Sequence, residues 1–133
     1  MKKAYLSISF QNRKNVEAEV AAIQQALSTF HIDLFVFVDT YLFDPSQEKE
    51  MMQQAFADID SSDLLIAEVS EKVIGVGIEM GYAVAAGKPV IYLRNALAEH
   101  STTAAGASNR VIIYENPEDL RKTLLTVLPT IIG

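Results

Sequence analysis

The sequence predicts a three-layer α/β/α domain around a five-stranded parallel sheet. Five short apolar segments alternate along the chain with segments whose apolar residues recur at helical spacing; this order is typical of parallel sheets covered by helices on both faces. One segment, Asp63–Val69, is apolar almost throughout, as expected of a strand buried on both sides. The chain has 133 residues, 50% of them hydrophobic, and it shows no linker or internal repeat. We therefore expect a single domain, residues 1–133, with a packed core.

The first half of the chain predicts two strands and two helices. Ala4–Phe10 alternates apolar and small polar residues, as a strand does, and Asp33–Val38 is the second predicted strand. Asn15 is the predicted N-cap of the first helix, and Ser46 that of the next. The apolar stripe of the first helix follows the spacing i, i+4, i+7, i+11, i+14: Val16, Val20, Ile23, Leu27 and Phe30.

The centre of the chain predicts a βαβ unit. The strand Asp63–Val69 is followed by Gly75-Val-Gly77, which we interpret as a tight passage of the backbone. A helix is predicted from about Ile78 to Ala86, ended by Gly87 and the proline two residues later. Val90–Leu93 is the next strand.

Glu79 is the candidate for the chemistry of this protein. It is predicted to lie in the first turn of the helix after Gly77, and it is the single carboxylate there. A junction from strand to helix lies at the carboxyl edge of a parallel sheet, where such folds bind ligands. A surface glutamate that stabilises a helix start is the alternative interpretation.

The remaining third completes the fold prediction. A polar loop is predicted at residues 96–109, a fifth strand at Arg110–Tyr114, and a closing helix after the N-cap pair Asn116-Pro117. Right-handed crossovers between such strands produce a Rossmann-like (flavodoxin-like) domain.

Composition excludes several classes of function. The chain has no cysteine, which excludes a disulfide framework and a thiolate zinc site. His31 and His100 give no metal pattern, and we expect neither a metal nor a cofactor. The net charge of −6 argues against a nucleic acid polymer as partner but leaves open a local cationic pocket for one phosphate. No segment has transmembrane length, and the start of the chain lacks a cleavage-like site, so we expect no membrane partner and a cytoplasmic protein.

The central motifs resemble a known family. Asp63-Leu-Leu-Ile-Ala-Glu-Val-Ser and Gly75-Val-Gly-Ile-Glu-Met-Gly-Tyr-Ala-Val-Ala-Ala-Gly-Lys-Pro-Val-Ile are similar to the nucleoside 2-deoxyribosyltransferase family, and the Gly-Val-Gly-x-Glu-x-Gly spacing most resembles its 2′-deoxynucleoside 5′-phosphate N-hydrolase branch. The resemblance implies that Glu79 is a nucleophile that attacks the anomeric carbon of a nucleoside or nucleotide and expels the base. Water or a second base then resolves the glycosyl-enzyme ester, as in a retaining glycosidase.

The resemblance also implies a set of substrate contacts. Tyr5 corresponds to a family tyrosine near the sugar, although a core strand tyrosine is the equal alternative. Ser101 corresponds to a serine that reaches a 5′-phosphate across a dimer interface, which implies a homodimer or higher homo-oligomer. The remaining expected contacts are the donors of the first loop and the motif glycines: Ser7, Ser9, Arg13, Gly75 and Gly77.

The chain departs from the family pattern at three positions. The family aspartate that assists the leaving base stands eight residues before Asp63, where this chain has Ala55. Asp58, one helical turn further on, is the candidate substitute, with a polar helix-end residue as the alternative. Ile8 replaces a glycine of the phosphate-binding turn, and Val73 replaces a serine that contacts phosphate. These changes weaken the expectation of 5′-monophosphate specificity more than that of the fold.

Three functional hypotheses follow. The first is an N-glycosidase or deoxyribosyltransferase with Glu79 as nucleophile. The second is a non-catalytic module that binds or senses a nucleotide, favoured by Ala55 because general acid–base help contributes about 10² to 10⁴ in rate. A glycohydrolase acting on a dinucleotide such as NAD is a weaker third hypothesis, without a sequence feature that requires it.

Overall fold

A five-stranded parallel sheet forms the centre of the molecule, as predicted. A computed structural model describes residues 2–132, so Met1 and Gly133 of the predicted domain lie outside the described residues. The strands are β1 (Lys2–Ser7), β2 (Ile32–Val36), β3 (Leu64–Glu68), β4 (Val90–Asn95) and β5 (Arg110–Tyr114). Their order is β2-β1-β3-β4-β5 with every pair parallel, which is the flavodoxin-like order. The predicted fold class is confirmed.

Helices cover both faces of the sheet. They are α1 (Glu17–Thr29), α2 (Phe37–Thr40), α3 (Glu48–Asp60), α4 (Ile74–Ala85), α5 (Thr102–Ala107) and α6 (Pro117–Ile132), with 3₁₀ turns at Arg13–Asn15 and Pro45–Gln47. Helices α1 and α6 pack on one face of the sheet, and α3 and α4 on the other. Within residues 2–132, none of these helices combines the length and the apolar character needed to cross a membrane.

The alternation of side chains along β1 decides which residues meet α4. Ala4 and Leu6 belong to the core beneath α1 and α6, whereas Tyr5 belongs to the core beneath α3 and α4. Successive strand residues point to opposite faces, so Ser7 shares the side of Tyr5. This register directs both hydroxyls toward the start of α4.

The predicted position of the motif glycines was wrong. Helix α4 begins at Ile74, directly after the extended residue Val73 (φ −132°, ψ 149°), so Gly75 and Gly77 lie in its first turn rather than in a bend before it. Glu79 consequently lies in the second turn. Gly87 does end the helix as predicted, with φ +75° in the left-handed region that glycine adopts readily.

Two predicted caps were also wrong. Val16, and not Asn15, precedes α1, and no side chain caps that helix. The turn before α3 is capped by Asp44, whose carboxylate accepts from the backbone N–H of Ser46 at 3.0 Å. The side chain of Gln47 accepts in return from the backbone N–H of Asp44, which completes a capping box. Asp44 Oδ1 accepts from the Ser46 hydroxyl as well, at 3.0 Å. Ser46 is therefore a donor to this cap and not the cap itself.

Three predicted elements differ as well. The first strand spans Lys2–Ser7 and not Ala4–Phe10, so Phe10 lies in the loop before α1. The second strand stops at Val36, and Phe37–Thr40 turns into the short helix α2, because Phe37 packs on Tyr5, Tyr41 and Phe43 instead of continuing the sheet. The predicted loop at residues 96–109 contains helix α5, whose N-cap is Ser101.

Candidate active site

Glu79 is held by two hydroxyl groups of β1. Tyr5 Oη donates to Glu79 Oε2 at 2.5 Å, and Ser7 Oγ donates to Glu79 Oε1 at 2.5 Å. The side chains of Tyr5 and Ser7 are fully buried, and Glu79 is 9% exposed. Each oxygen of the carboxylate therefore has one donor, and the orientation of the group is fixed.

Burial and hydrogen bonding have opposite effects on the pKa of Glu79. Burial raises the pKa of Glu79, while the hydrogen bonds from Ser7 and Tyr5 lower it; burial prevails, so the pKa lies above the ordinary value of 4.5. Burial and the charge of Glu79 raise the pKa of Tyr5 beyond the range of solution pH. Tyr5 consequently stays protonated and keeps donating to the carboxylate.

A cleft of about 350 Å³ opens beside Glu79, within the range of small-molecule sites. Its walls come from the β1–α1 loop, α2, the start of α3 and the start of α4. Glu79 is the one charged residue among the described residues that line it. The lining residues are Ile8, Ser9, Phe10, Gln11, Phe37, Val38, Met51, Met52, Val73, Gly75, Val76 and Glu79.

An apolar groove continues the cleft toward α2. It has about 300 Å³ and shares Phe10, Phe37, Val38 and Met51 with the cleft. Its far end is formed by Tyr41, Leu42 and Phe43, with the Phe37 and Phe43 rings stacked at 6.0 Å between centroids. Such a surface suits a flat aromatic group like a nucleobase.

Ser9 and Glu71 meet at the rim of the cleft. Ser9 is buried, and its Oγ donates to Glu71 Oε1 at 2.8 Å while accepting from the backbone N–H of Asn12 at 3.2 Å. Glu71, half-buried, also lines a second cavity on the other side of α4. The predicted substrate contact Ser9 is therefore at the cleft, with a carboxylate as its neighbour.

Arg13 does not line the cleft. Its guanidinium donates to both carboxylate oxygens of Asp39, from Nε at 2.9 Å and from Nη2 at 2.8 Å, and from Nη1 to Glu17 at 2.7 Å. It lies in a neighbouring surface depression with Lys14 and these two acids.

Gly75 lines the cleft, whereas Gly77 and Ser101 line the second cavity, of about 120 Å³. Ser101 Oγ accepts from the backbone N–H of Ala104 and so caps α5. A Cβ atom added at Gly75 or Gly77 would have open space around it. Packing inside the chain therefore does not require glycine at either position.

Ala55 and Asp58 lie below the cleft on α3. Ala55 is fully buried, and neither residue lines the cleft. Asp58 Oδ1 accepts from Gln54 Nε2 at 3.3 Å, while its buried Oδ2 has no hydrogen-bond partner among residues 2–132. The pKa of Tyr41, a residue of the apolar groove, is raised mainly by burial and to a smaller extent by the nearby Asp58 carboxylate.

Sequence reasoning missed Glu71 and the walls of the cleft. Met51 and Met52 are half-buried and line the cleft. The sequence contained a weak signal for Glu71. This charged residue follows a buried strand by a few positions, and the end of such a strand lies at the ligand-binding edge of the sheet. Among residues 2–132, no group of three or more histidine, aspartate or glutamate side chains is arranged to hold a metal ion.

Fold and site together define a class: a domain of flavodoxin-like strand order with a buried, hydroxyl-held carboxylate at the carboxyl edge of its sheet. The nucleoside 2-deoxyribosyltransferase family model matches residues 4–120, and the chain belongs to this family. The predicted resemblance is confirmed. Membership supports cleavage or transfer of the N-glycosidic bond of a small nucleoside or nucleotide.

Named relatives agree with this assignment. A Thermofilum pendens protein provisionally assigned as a 2′-deoxynucleoside 5′-phosphate N-hydrolase is 28% identical, over 96% of this chain and 95% of its own length. The CMP N-glycosidase of Clostridium botulinum superposes with a TM-score of 0.65 at 22% identity, covering 92% of this chain and 98% of that one. A 2-deoxyribosyltransferase of Bacillus psychrosaccharolyticus gives a TM-score of 0.70 at 16% identity, covering 92% and 95%. At these identities, the two structures show the fold.

Proposed function

We propose that this protein breaks the N-glycosidic bond of a (deoxy)nucleoside or nucleoside 5′-monophosphate, with Glu79 as the nucleophile. The observation that carries the proposal is the buried Glu79 carboxylate, held by Tyr5 and Ser7 at the wall of a cleft that is otherwise uncharged. A fixed carboxylate beside an apolar cavity is suited to an oxocarbenium-like sugar, whose positive charge develops as the base departs.

The proposed reaction has two steps. A Glu79 oxygen forms a bond to C1′ while the C1′–N bond breaks, and the base leaves with the bonding electron pair and takes up a proton. Water then adds to C1′, loses a proton and displaces Glu79, which releases the free sugar or sugar phosphate. A second base in place of water would make the same protein a transferase.

Tyr5 tunes the nucleophile in this proposal. Its hydrogen bond lowers the pKa of Glu79 against the effect of burial, so Tyr5→Phe should move the acid limb of the kcat/KM profile to higher pH. A profile of base release from about pH 4 to 9 measures this limb, which reports the free enzyme.

Tyr114→Phe is the matched control for Tyr5→Phe. Tyr114 donates to the buried carboxylate of Glu68 on the opposite face of the sheet, so its removal should leave the acid limb in place. An acid limb unchanged in Tyr5→Phe would contradict the role of Tyr5.

Protonation of the leaving base is proposed to involve Asp58. Because Ala55 carries no acid and Asp58 does not line the cleft, Asp58 would act through Tyr41, which lies beside it and lines the groove. In this arrangement Asp58 positions the Tyr41 hydroxyl toward the base.

The protein is further proposed to form a homo-oligomer through α4. The outer face of this helix is apolar and exposed, with Ile74 83% and Val84 46% accessible. The open space at Gly75 and Gly77 supports a close approach by another chain. Ser101, which lines the second cavity rather than the cleft, would then serve the cleft of a partner.

Val84→Glu should convert the oligomer to monomers, because it places a charge in the apolar interface. Sedimentation of the purified protein measures the change. Ala21→Glu, on the exposed face of α1, is the control and should sediment like the unaltered protein. If the unaltered protein is already a monomer, the oligomer proposal fails.

A panel of deoxynucleosides and their 5′-monophosphates tests the function, with free base as the product measured. The alternative function, a nucleotide-binding module, is favoured by the alanine at position 55. It would be supported if no panel member releases base while one raises the melting temperature. A cytoplasmic location stays a prediction from the sequence, and cell fractionation would test it.

A further inference from the structure

We infer that the site selects an uncharged nucleoside over its 5′-monophosphate and that Glu71 is the residue that enforces the choice. The inference rests on the proposed function and specifies its substrate class. Three observations lead to it: the charge of the cleft, the engagement of Arg13, and the position of Glu71 beside Ser9.

The cleft offers no charge to balance a phosphate. Among its described lining residues, the one charged group is Glu79, which is anionic when it acts as nucleophile, and the polar side chains besides it are Ser9 and Gln11. A phosphate site in a protein typically provides a cation or several backbone N–H donors. The start of α4 brings backbone N–H groups to the cleft at Gly75 and Val76, but no cation accompanies them among the described lining residues. The first loop has Ile8 where the family resemblance implies a glycine.

Arg13, the nearest candidate cation by sequence, is already neutralised. Its guanidinium makes three hydrogen bonds to Asp39 and one to Glu17, and its side chain is 17% exposed. Binding a phosphate would require it to leave two carboxylates. Lys72, which lines the second cavity, is paired with Glu99 at 2.9 Å.

Glu71 adds a negative charge at the rim. Its carboxylate accepts a hydrogen bond from the hydroxyl of Ser9, which lines the cleft. The Ser9 hydroxyl is therefore not free to donate to a substrate, and the charge of Glu71 lies one hydrogen bond away from the cleft wall. A carboxylate attracts the hydroxyl of an uncharged nucleoside but repels a phosphate dianion. Repulsion between like charges is an effective way to exclude a competing ligand.

This selectivity would separate the chain from two of its three named relatives. The Thermofilum pendens relative is assigned to a 5′-phosphate substrate, and the Clostridium botulinum protein to CMP. The same fold would then serve substrates of different charge.

Paired kinetics of one deoxynucleoside and its 5′-monophosphate test the inference. The unaltered protein should favour the nucleoside in kcat/KM by about 10²-fold or more, since the phosphate meets an uncompensated negative charge. Glu71→Gln should reduce this ratio by about tenfold or more, chiefly through a lower KM for the monophosphate. Added salt should narrow the ratio of the unaltered protein, because it screens the repulsion.

Glu115→Gln, an exposed carboxylate at the end of β5, is the matched control and should keep the ratio unchanged. Equal or faster cleavage of the monophosphate by the unaltered protein would overturn the inference, as would an unchanged ratio in Glu71→Gln. Calorimetric binding of both compounds to Glu79→Gln provides a test without turnover. Tighter binding of the nucleoside supports the inference, and tighter binding of the monophosphate overturns the inference. If neither compound is cleaved by the unaltered protein but the nucleoside binds more tightly, the proposed function fails and the inference on substrate charge stands.

Discussion

Replacing Glu79 by glutamine should lower base release by about 10³-fold or more. The amide has nearly the same size and can still bond Tyr5 and Ser7, but it cannot form the ester with C1′ that divides the reaction into two steps. Free base measured by chromatography, with the best substrate of the panel, provides the rate. A variant that retains more than about a tenth of the activity would contradict the assignment.

Stability separates this loss from unfolding. The pKa of Glu79 is raised in the folded protein by burial, so the folded state binds its proton more tightly than the unfolded state. The contribution of Glu79 to stability is present at low pH and is lost as pH rises through the folded pKa. Glu79→Gln should therefore melt a few degrees higher than the unaltered protein near about pH 8, and the difference should shrink on acidification.

Glu68→Gln is the matched control for Glu79→Gln. Glu68 is 2% exposed, accepts from Tyr114 at 2.5 Å, and has a pKa raised by burial, but it lies on the face of the sheet opposite the cleft. Glu68→Gln should show the same pH-dependent increase in melting temperature as Glu79→Gln. Its rate of base release should stay within a few-fold of that of the unaltered protein. Loss of activity in both variants would indicate a general effect of neutralising a buried carboxylate.

Ala55→Asp should raise the rate of base release by about 10- to 100-fold. In the family pattern, an aspartate at this position assists the leaving base, and general acid–base help contributes about 10² to 10⁴. Only part of this gain is expected, because the side chain of Ala55 is fully buried and does not line the cleft. The same burial should lower the melting temperature by several degrees.

Two further variants identify the origin of this gain. Ala55→Asn has nearly the same shape without the acid and should give no increase. If Asp58 acts through Tyr41, Asp58→Asn alone should slow base release. Added to Ala55→Asp, it should slow base release much less, because the new aspartate then protonates the leaving base. A folded Ala55→Asp protein that is no faster than the unaltered one would show that base protonation is not what this site lacks.

The sheet and its long helices could be predicted because their signals are local. The apolar run at Leu64–Glu68 and the helical spacing after Val16 each depend on neighbouring residues, and the parallel order follows from alternating strands and helices. Helix α2 could not be predicted in this way. Phe37 leaves the strand pattern because it packs on Tyr41, four residues later, and on Tyr5. The contact with Tyr5, which is distant in the sequence, is not visible in a local pattern.

The site was predictable in its residue types but not in its contacts. Tyr5 and Glu79 were both candidates, yet their hydrogen bond joins residues 74 positions apart and depends on how α4 packs over β1. Ser7 was expected to contact substrate, whereas it holds Glu79. Arg13 was expected to supply a charge, but its partner Asp39 lies on α2, the helix that the sequence pattern did not reveal.

The most direct test is to trap the glycosyl-enzyme. A nucleoside with fluorine at C2′ destabilises an oxocarbenium-like transition state, so the ester should form and break slowly enough for intact-mass spectrometry. We predict a mass increase of one fluorinated sugar, located by fragmentation on Glu79 and absent from Glu79→Gln. Base release without any adduct, or an adduct on another residue, would contradict the central role of Glu79.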